Sequence, residues 1–170
     1  AALGGLTLEP GTHTATAATG LTGTLTLDTT GLIQSEIMAA DADVPLWKFE
    51  IGGAFTTTAN SLMVFDGTFD GATLKKLNSL VLWKVTGAIT LGAGAHGVGD
   101  MKSNAGAITL GADAQSGNLD AAGALTLGAG KLVVTGNLKA AGAMTIGAGA
   151  YTGTCLLYPA DAVDYSPYAH

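Results

Sequence analysis

The sequence predicts an all-β protein with a β-solenoid (β-helix) fold whose coils are about 17–19 residues long. The main observation is a six-residue phrase of Gly, Ala, a large apolar residue, Thr, a second large apolar residue and Gly, which occurs four times. Its copies begin at Gly87, Gly106, Gly123 and Gly142, at intervals of 19, 17 and 19 residues. These intervals are too short for a propeller blade or a helical repeat and fit one coil of a solenoid.

A second phrase recurs at the same interval and predicts a second strand in each coil. Its copies contain Gly99, Gly117, Gly136 and Gly153. With two strands in fixed places, the coils stack in register, and equivalent residues form ladders about 4.8 Å apart. We therefore predict a single domain over residues 1–170, with its most regular coils in residues 86–153.

The first strand of each coil predicts an uncharged outer face. Successive side chains of a strand point to opposite sides, and the large apolar residues must fill the core. Alanine and threonine then remain outside. The predicted columns are Ala88, Ala107, Ala124 and Ala143, beside Thr90, Thr109, Thr126 and Thr145.

The second strand of each coil predicts a charged wall. The residues expected to point inward are Met101, Leu119, Leu138 and Cys155. Those expected to point outward are Asp100, Lys102, Asn118, Asp120, Asn137 and Lys139. Exposed ion pairs on such a wall contribute about 0–1 kcal/mol each, so we interpret it as a solubilising surface.

The first half of the chain follows the same pattern less regularly. Residues 21–28 predict a strand with Leu25 and Leu27 inside and Thr24 and Thr26 outside. Further strands are predicted within residues 46–52, 55–58, 61–67 and 79–85. Residues 33–44 fit either a long surface loop or one short helix, and nothing else is strongly helical.

Composition excludes several classes of function. Charged residues make up 12% of the chain, below the roughly 25% of typical domains, and the net charge is −6 with seven basic residues. This balance disfavours nucleic acid and anionic membranes as partners. No apolar run reaches the length of a membrane-spanning helix, and residues 1–5 lack the features of a signal peptide. We expect a secreted, extracellular protein, either as its mature form or as a shortened chain.

No catalytic, cofactor or metal site is predicted. His13, His96 and His170 are scattered and lack the spacing of a zinc site. Asp41 and Asp43 are weak evidence for calcium, and the other carboxylates do not form a pair of the kind that hydrolyses sugars. The lone cysteine excludes an internal disulfide. Residues 156–170 are interpreted as a tail that caps the last coil, with a partner-docking segment as the alternative.

Several phrases together resemble the microbial ice-binding proteins built on an irregular β-solenoid. They are the Leu-Gly-Gly-Leu phrase of residues 3–6 with the later Pro10-Gly11, the strand phrase of residues 21–28, Phe49-Glu50-Ile51-Gly52, and the Gly-Ala-Ile-Thr-Leu-Gly coils. The order of these phrases carries the resemblance, which extends from Leu3 to about Gly153. Family members usually begin with additional strands and a long helix along the solenoid, and no segment here is long enough to form that helix.

Simple physical arguments also support ice as the partner of the uncharged face. Outward positions i and i+2 lie about 6.6 Å apart along a strand, and this spacing and the ladder spacing are both close to repeats of the ice lattice. Threonine is stiff at χ1 and holds its hydroxyl and methyl in place. The predicted ice-binding residues are Thr24, Thr26, Ala88, Thr90, Ala107, Thr109, Ala124, Thr126, Ala143 and Thr145. The alternative is a secreted structural protein that self-associates through open solenoid ends or flat walls, because small-residue ladders also let two sheets approach closely.

Overall fold

The computed structural model describes residues 1–130, 133–134, 136–149 and 157–158. Parallel strands stack into three walls of a β-solenoid, which confirms the predicted fold class. Each coil passes through a third wall, a charged wall and a threonine wall in that order. The expectation of two strands per coil is therefore wrong, because a third strand, which is only a bridge or two residues long in the later coils, lies between the two that the sequence predicts.

The three walls are defined by their strands. The third wall contains β1 (Thr7–Leu8), β4 (Thr24–Leu27), β7 (Leu62–Phe65), β12 (Gln115–Ser116) and β15 (Val133–Val134). The charged wall contains β2 (Gly11–Ala15), β5 (Trp47–Ile51), β8 (Val81–Val85), β10 (Asp100–Ser103), β13 (Leu119–Ala121), β16 (Leu138–Ala140) and β18 (Leu157–Tyr158). The threonine wall contains β3 (Thr19–Leu21), β6 (Phe55–Thr57), β9 (Ile89–Leu91), β11 (Ile108–Leu110), β14 (Leu125–Leu127) and β17 (Met144–Ile146).

Two short helices interrupt the solenoid in its first half. Helix α1 (Gln34–Ala39) lies between β4 and β5, inside the segment for which loop and helix were both open. Helix α2 (Gly71–Ser79) lies between β7 and β8 and packs against α1. The expectation that nothing else is helical is wrong at α2. The carboxylate of Asp70 caps this helix by accepting the N–H of Thr73 at 2.8 Å.

Stacked aromatic rings fill the core in the first half, where the strands of the charged wall are five residues long. The rings of Phe49 and Trp83 are parallel, with centroids 3.8 Å apart, and Phe55 stacks on the same tryptophan at 4.6 Å. The indole N–H of Trp83 donates to the carbonyl of Val98 at 2.8 Å, so its one polar group is satisfied. In the later coils aliphatic side chains take over this space, and Ile108, Leu119 and Leu125 are at most 1% exposed.

Some predictions fall outside the residues described. These are the inward position of Cys155, the location of His170, and the capping role of residues 156–170, of which only the backbone strand β18 is described, paired with β16. In the described part of the chain, no helix is long and apolar enough to cross a membrane.

Candidate functional site

The threonine wall presents an in-register ladder of five threonines. Strand pairing aligns them in the order Thr56, Thr90, Thr109, Thr126 and Thr145. The side chains on either side of these positions are buried, except for the half-buried Ile146, so the threonines point outward, as predicted for the four in the repeated phrase. Thr56 is a fifth member that the sequence interpretation did not place on this face.

The predicted alanine column runs beside the threonine ladder. Ala88, Ala107, Ala124 and Ala143 immediately precede their strands, and their carbonyls accept N–H groups from the adjacent coils at 2.9–3.0 Å. Ala88 and Ala143 are exposed, while the two alanines between them are half-buried. The carbonyl of Ala54 makes the same bond to Thr19 at 2.9 Å, which extends the column by one coil.

Two columns of glycine border this strip and keep the coils close together. A Cβ added at Gly106 would lie 2.6 Å from the backbone nitrogen of Ala88, and one added at Gly111 would lie 2.7 Å from that of Ala93. In the next coil, a Cβ at Gly128 would lie 2.8 Å from the backbone nitrogen of Ala112, while one at Gly123 would lie 3.2 Å from that of Ala107, a less severe contact. The second glycine of the repeated phrase is therefore needed because the preceding coil leaves no space for a side chain, and the first is equally restricted at Gly106.

Thr24 and Thr26 do not lie on the threonine wall. They belong to β4 on the third wall, where Thr24 pairs with Leu62 and Thr26 pairs with Thr7 and Val64. The chain turns a corner at Gly23, which has φ +86°, so Leu21 ends one wall before Thr24 begins the next. Their predicted grouping with the Ala and Thr columns is wrong, because the same alternation of Thr and Leu occurs on two different walls.

The first coil of the threonine wall has glycine at the ladder position. Gly20 pairs with Thr56, so the ladder of hydroxyls begins one coil later. The sequence signal for Thr56 was the large apolar Phe55 before it, as in the repeated phrase, and in the structure Phe55 and Thr57 are buried on either side of the exposed Thr56. No described residue in the strands of this wall is charged.

The charged wall has the predicted orientation. Met101, Leu119 and Leu138 are at most 1% exposed and point inward. The outward column pairs in the order Thr14, Glu50, Lys84, Lys102, Asp120 and Lys139. Within this column, Glu50 forms an ion pair with Lys48 of the same strand, with 2.6 Å between Oε1 and Nζ. The hydrogen bond from Lys48 and its positive charge hold the pKa of Glu50 below its usual value.

Polar side chains also tie successive coils together at the start of this wall. Asp100 Oδ1 accepts the backbone N–H of Asn118 at 3.1 Å, and Asn118 Oδ1 accepts that of Asn137 at 2.6 Å. Burial raises the pKa of Asp100, with the hydrogen bonds to Asn118 acting in the opposite direction. The ladder of side-chain acceptors thus includes one partly buried carboxylate.

The other residues considered for chemistry do not assemble into a site. His13 stacks on Phe49 with ring centroids 5.3 Å apart, and its Nε2 lies 2.9 Å from the carbonyl oxygen of Glu9. His96 forms a bridge in the third wall between Leu62 and Gln115. Among the described residues, no three His, Cys, Asp or Glu side chains are arranged to hold a metal ion.

The solved structures that are similar to this chain include two of ice-binding proteins. The first is the crystal structure of an ice-binding protein from the Antarctic ascomycete Antarctomyces psychrotrophicus, with 24% identity and a TM-score of 0.59 over 90% of this chain and 57% of that one. This chain has the fold of that protein. The second is the DUF3494 domain of Shewanella frigidimarina ice-binding protein_1, with 21% identity and a TM-score of 0.42 over 91% of this chain and 47% of that one.

The matched region is only part of each similar structure. This chain spans a little over half the length of the ascomycete protein and somewhat less than half of the Shewanella one. No protein-family model matches the sequence. No curated protein sequence matches it either.

Proposed function

We propose that the threonine wall binds ice and that the adsorbed protein inhibits ice growth or recrystallisation. The observation that carries this proposal is the in-register, uncharged ladder from Thr56 to Thr145 with its alanine column. Adsorption alone would produce the effect, so the proposal includes no chemical step, no catalytic residue and no cofactor.

The regular spacing of the wall supports this proposal. Parallel pairing without an offset repeats the same pair of outward groups about every 4.8 Å along the stack. Thr90, Thr109 and Thr126 pair directly in three consecutive coils, although the intervals between them are 19 and 17 residues. Glycines beside the wall let these coils approach to backbone contact, which keeps successive threonines one rung apart.

The chemistry of the wall supports the proposal as well. Threonine in a strand has restricted χ1, so each hydroxyl and methyl would position neighbouring water with little side-chain entropy to lose. Alanine adds apolar surface without reaching above the threonines. A charged group would order water around itself instead, and the described strands of this wall have none.

The likeness in fold is consistent with this function. The protein that shares the fold is an ice-binding protein, which makes ice a reasonable partner for this chain. The proposal includes an extracellular location, where a neutral, small-residue wall would meet ice.

The test is thermal hysteresis, with ice-crystal morphology, of the full chain and of Thr109→Tyr and Thr126→Tyr. Both substitutions place a bulky ring in the middle of the ladder, and each should remove most of the activity because the flat array is interrupted. Thr24→Tyr is the matched control, since Thr24 is exposed on the third wall. It should retain the activity of the unmodified chain.

Circular dichroism and solution mass complete the design. The Tyr variants should keep the β signal, so that lost activity reports on the wall and not on folding. If Thr24→Tyr loses as much activity as Thr109→Tyr, the threonine wall is not the binding site. If the unmodified chain leaves ice growth unchanged and sediments as a large assembly, the proposal fails and a structural, self-associating role replaces it.

A further inference from the structure

The exposed large apolar side chains of this protein are concentrated on the third wall and on the two helices that follow its strands. Among the residues whose exposure the structure describes, each such side chain lies in or directly before a third-wall strand, on α2, or in residues 33–44, which we call the α1 segment. They are Leu6, Leu62, Leu74, Ile33, Met38 and Val44. Such a concentration, unlike single exposed apolar residues, is typical of a surface that binds another protein.

Two of these side chains border an apolar groove between α2 and the third wall. A cavity of about 310 Å³ lies there, and we call it the helix groove. Leu74 lines it from α2, and Leu62 lies beside it through its bridge to His96. The other apolar residues of the lining are Met63, Val64, Phe65 and Val98.

Three of the other exposed apolar side chains belong to the α1 segment. Ile33, Met38 and Val44 are 55%, 46% and 62% exposed. No residue of this segment lines the helix groove, which extends over coils that follow α2. The two helices are nevertheless neighbours, because Nε2 of Gln34 donates to Oδ2 of Asp70, the capping residue of α2, at 3.0 Å. One side of the molecule therefore presents both an apolar groove and an apolar segment of a kind that fits a groove.

Complementary charges accompany the groove and the segment. The α1 segment carries the exposed acids Glu36, Asp41 and Asp43 and no basic residue. Helix α2 carries Lys75 and Lys76 and no acidic residue. In the described part of the chain, none of these five groups has an oppositely charged atom within 4 Å. Both sets of charges are therefore available to a second molecule that carries the opposite sign.

We infer that two copies of this chain form a symmetric dimer in which the α1 segment of each fills the helix groove of the other. A two-fold axis close to α2 produces both contacts at once, because the same surface then serves both subunits. Each contact covers the apolar side chains of one α1 segment and brings its acids towards the lysines of the other α2. A second copy is the partner that fits, since this one chain supplies the groove, the segment and both signs of charge.

The dimer leaves both threonine walls uncovered. Each coil passes from the third wall to the charged wall and then to the threonine wall, and both helices are inserted between the first two. The threonine wall is therefore the one wall that does not border the helices. Two copies joined there would present two threonine walls to the surroundings. The inference does not depend on whether this wall binds ice.

The first test is sedimentation equilibrium of the full chain, of Leu74→Glu and of the matched control Thr12→Glu. We expect the unmodified chain to be a dimer at about 1 mM and to dissociate on dilution. Leu74→Glu places a carboxylate in both grooves of the dimer and should raise the dissociation constant about a hundredfold. Thr12→Glu adds the same charge at an exposed position of the charged wall and should leave the dissociation constant unchanged. Circular dichroism should show the same β signal for all three proteins, because both substituted side chains are exposed.

Charge reversal tests the pairing of the α1 segment with α2. Lys75→Glu/Lys76→Glu and Glu36→Lys/Asp43→Lys should each weaken the dimer about tenfold, because like charges meet at both contacts. An equal mixture of these two variants should form a heterodimer as tight as the original dimer, since each contact then joins opposite signs.

Several results would overturn the inference. A monomer at about 1 mM would mean that the helix groove has a different occupant or none. Equal weakening by Leu74→Glu and Thr12→Glu would show that net charge, and not the groove, controls association. A mixture of the two charge-reversed variants that stays monomeric, or an assembly larger than two copies, would contradict the symmetric contact.

Discussion

The threonine wall and the charged wall are built on the same coils but have opposite surfaces. Both are parallel, in register and backed by buried apolar side chains. Yet the outward column of one is Thr56 to Thr145, while that of the other alternates among Glu50, Lys84, Lys102, Asp120 and Lys139. The solenoid thus accepts charge on an outward ladder, and the neutrality of the threonine wall is not a requirement of the fold.

Close contact between coils restricts the edges of both walls. Gly106 and Gly111 border a single strand of the threonine wall, and a Cβ at either would overlap the backbone of the preceding coil. The charged-wall strand β10 ends at Ser103, whose hydroxyl donates to the carbonyl of Gly87 at 2.7 Å. Glycine is also required at the start of the charged wall, where a Cβ at Gly117 would lie 2.7 Å from the carbonyl oxygen of Gly99.

The largest effect is expected from Gly106→Ala, which should break the close stacking of the threonine wall. The new Cβ would lie 2.6 Å from the nitrogen of Ala88, so the coil must shift. We expect the free energy of unfolding to fall by about 3 kcal/mol and thermal hysteresis to decrease because the ladder is no longer flat. Urea denaturation followed by circular dichroism measures the first quantity.

Gly20→Ala is the matched control for this prediction. Its Cβ would meet the carbonyl oxygen of Thr56 at 3.7 Å, which is an ordinary contact. The free energy of unfolding should change by no more than about 0.5 kcal/mol. Equal destabilisation by the two substitutions would show that glycine matters here for reasons other than the contact between coils.

A strong effect on activity, with little effect on stability, is expected from Thr109→Glu. This substitution places a carboxylate between Thr90 and Thr126, so the threonine wall would carry a charge on its outward ladder as the charged wall does. Most of the thermal hysteresis should disappear, while the free energy of unfolding changes by about 0.5 kcal/mol. The control Thr12→Glu adds the same charge to the charged wall, where Thr12 pairs with Lys48, and full hysteresis should remain. Retained activity in Thr109→Glu would contradict the argument from neutrality.

A smaller effect, in the opposite direction, is expected from Gly20→Thr. Gly20 occupies the ladder position next to Thr56, so threonine there would extend the array by one coil. If adsorption grows with the area of the array, thermal hysteresis should rise by about one-fifth. Gly20→Ala adds a methyl group without a hydroxyl and separates the two contributions. A decrease in hysteresis with an intact fold would show that the active array does not reach this end of the wall.

The repeated phrase was sufficient to predict most of the threonine wall. Its fixed glycines set the coil length, and the alternation around Thr90, Thr109 and Thr126 determined which side chains face outward. The third wall was missed because in the later coils its strands shrink to the bridge at His96 and the two-residue strand β12. A segment this short has no periodicity to detect.

The two errors in the first half have local physical causes. Thr24 and Thr26 have the alternation of the threonine wall, and only the positive φ of Gly23 moves them around the corner. Helix α2 was missed because Gly71 and Thr73 are poor helix formers. Its usable signals were the capping residue Asp70 and the four-residue spacing of the buried Thr73 and Leu77.

The smallest effect is expected from Asp100→Asn, which tests whether a partly buried carboxylate in the charged wall lowers the free energy of unfolding at neutral pH. Burial raises the pKa of Asp100 above its ordinary value of 3.8. The stability associated with its protonated form is complete below that value and is lost as the pH rises through the folded-state pKa. Asparagine has a similar shape and an oxygen to accept the N–H of Asn118, so the free energy of unfolding at neutral pH should increase by about 0.5 kcal/mol. Well below pH 3.8, where Asp100 is protonated, the free energies of unfolding of the variant and the unmodified chain should be equal.

Asp120→Asn should have the opposite sign at neutral pH. Asp120 lies between Lys102 and Lys139 in the outward ladder, where its charge is favourable. Urea denaturation of both variants at several pH values measures the contrast. If Asp100→Asn is less stable than the unmodified chain at neutral pH, the hydrogen bond to Asn118 outweighs the burial of the carboxylate. Charge would then stabilise the charged wall at both positions, and the contrast with the neutral threonine wall would be sharper still.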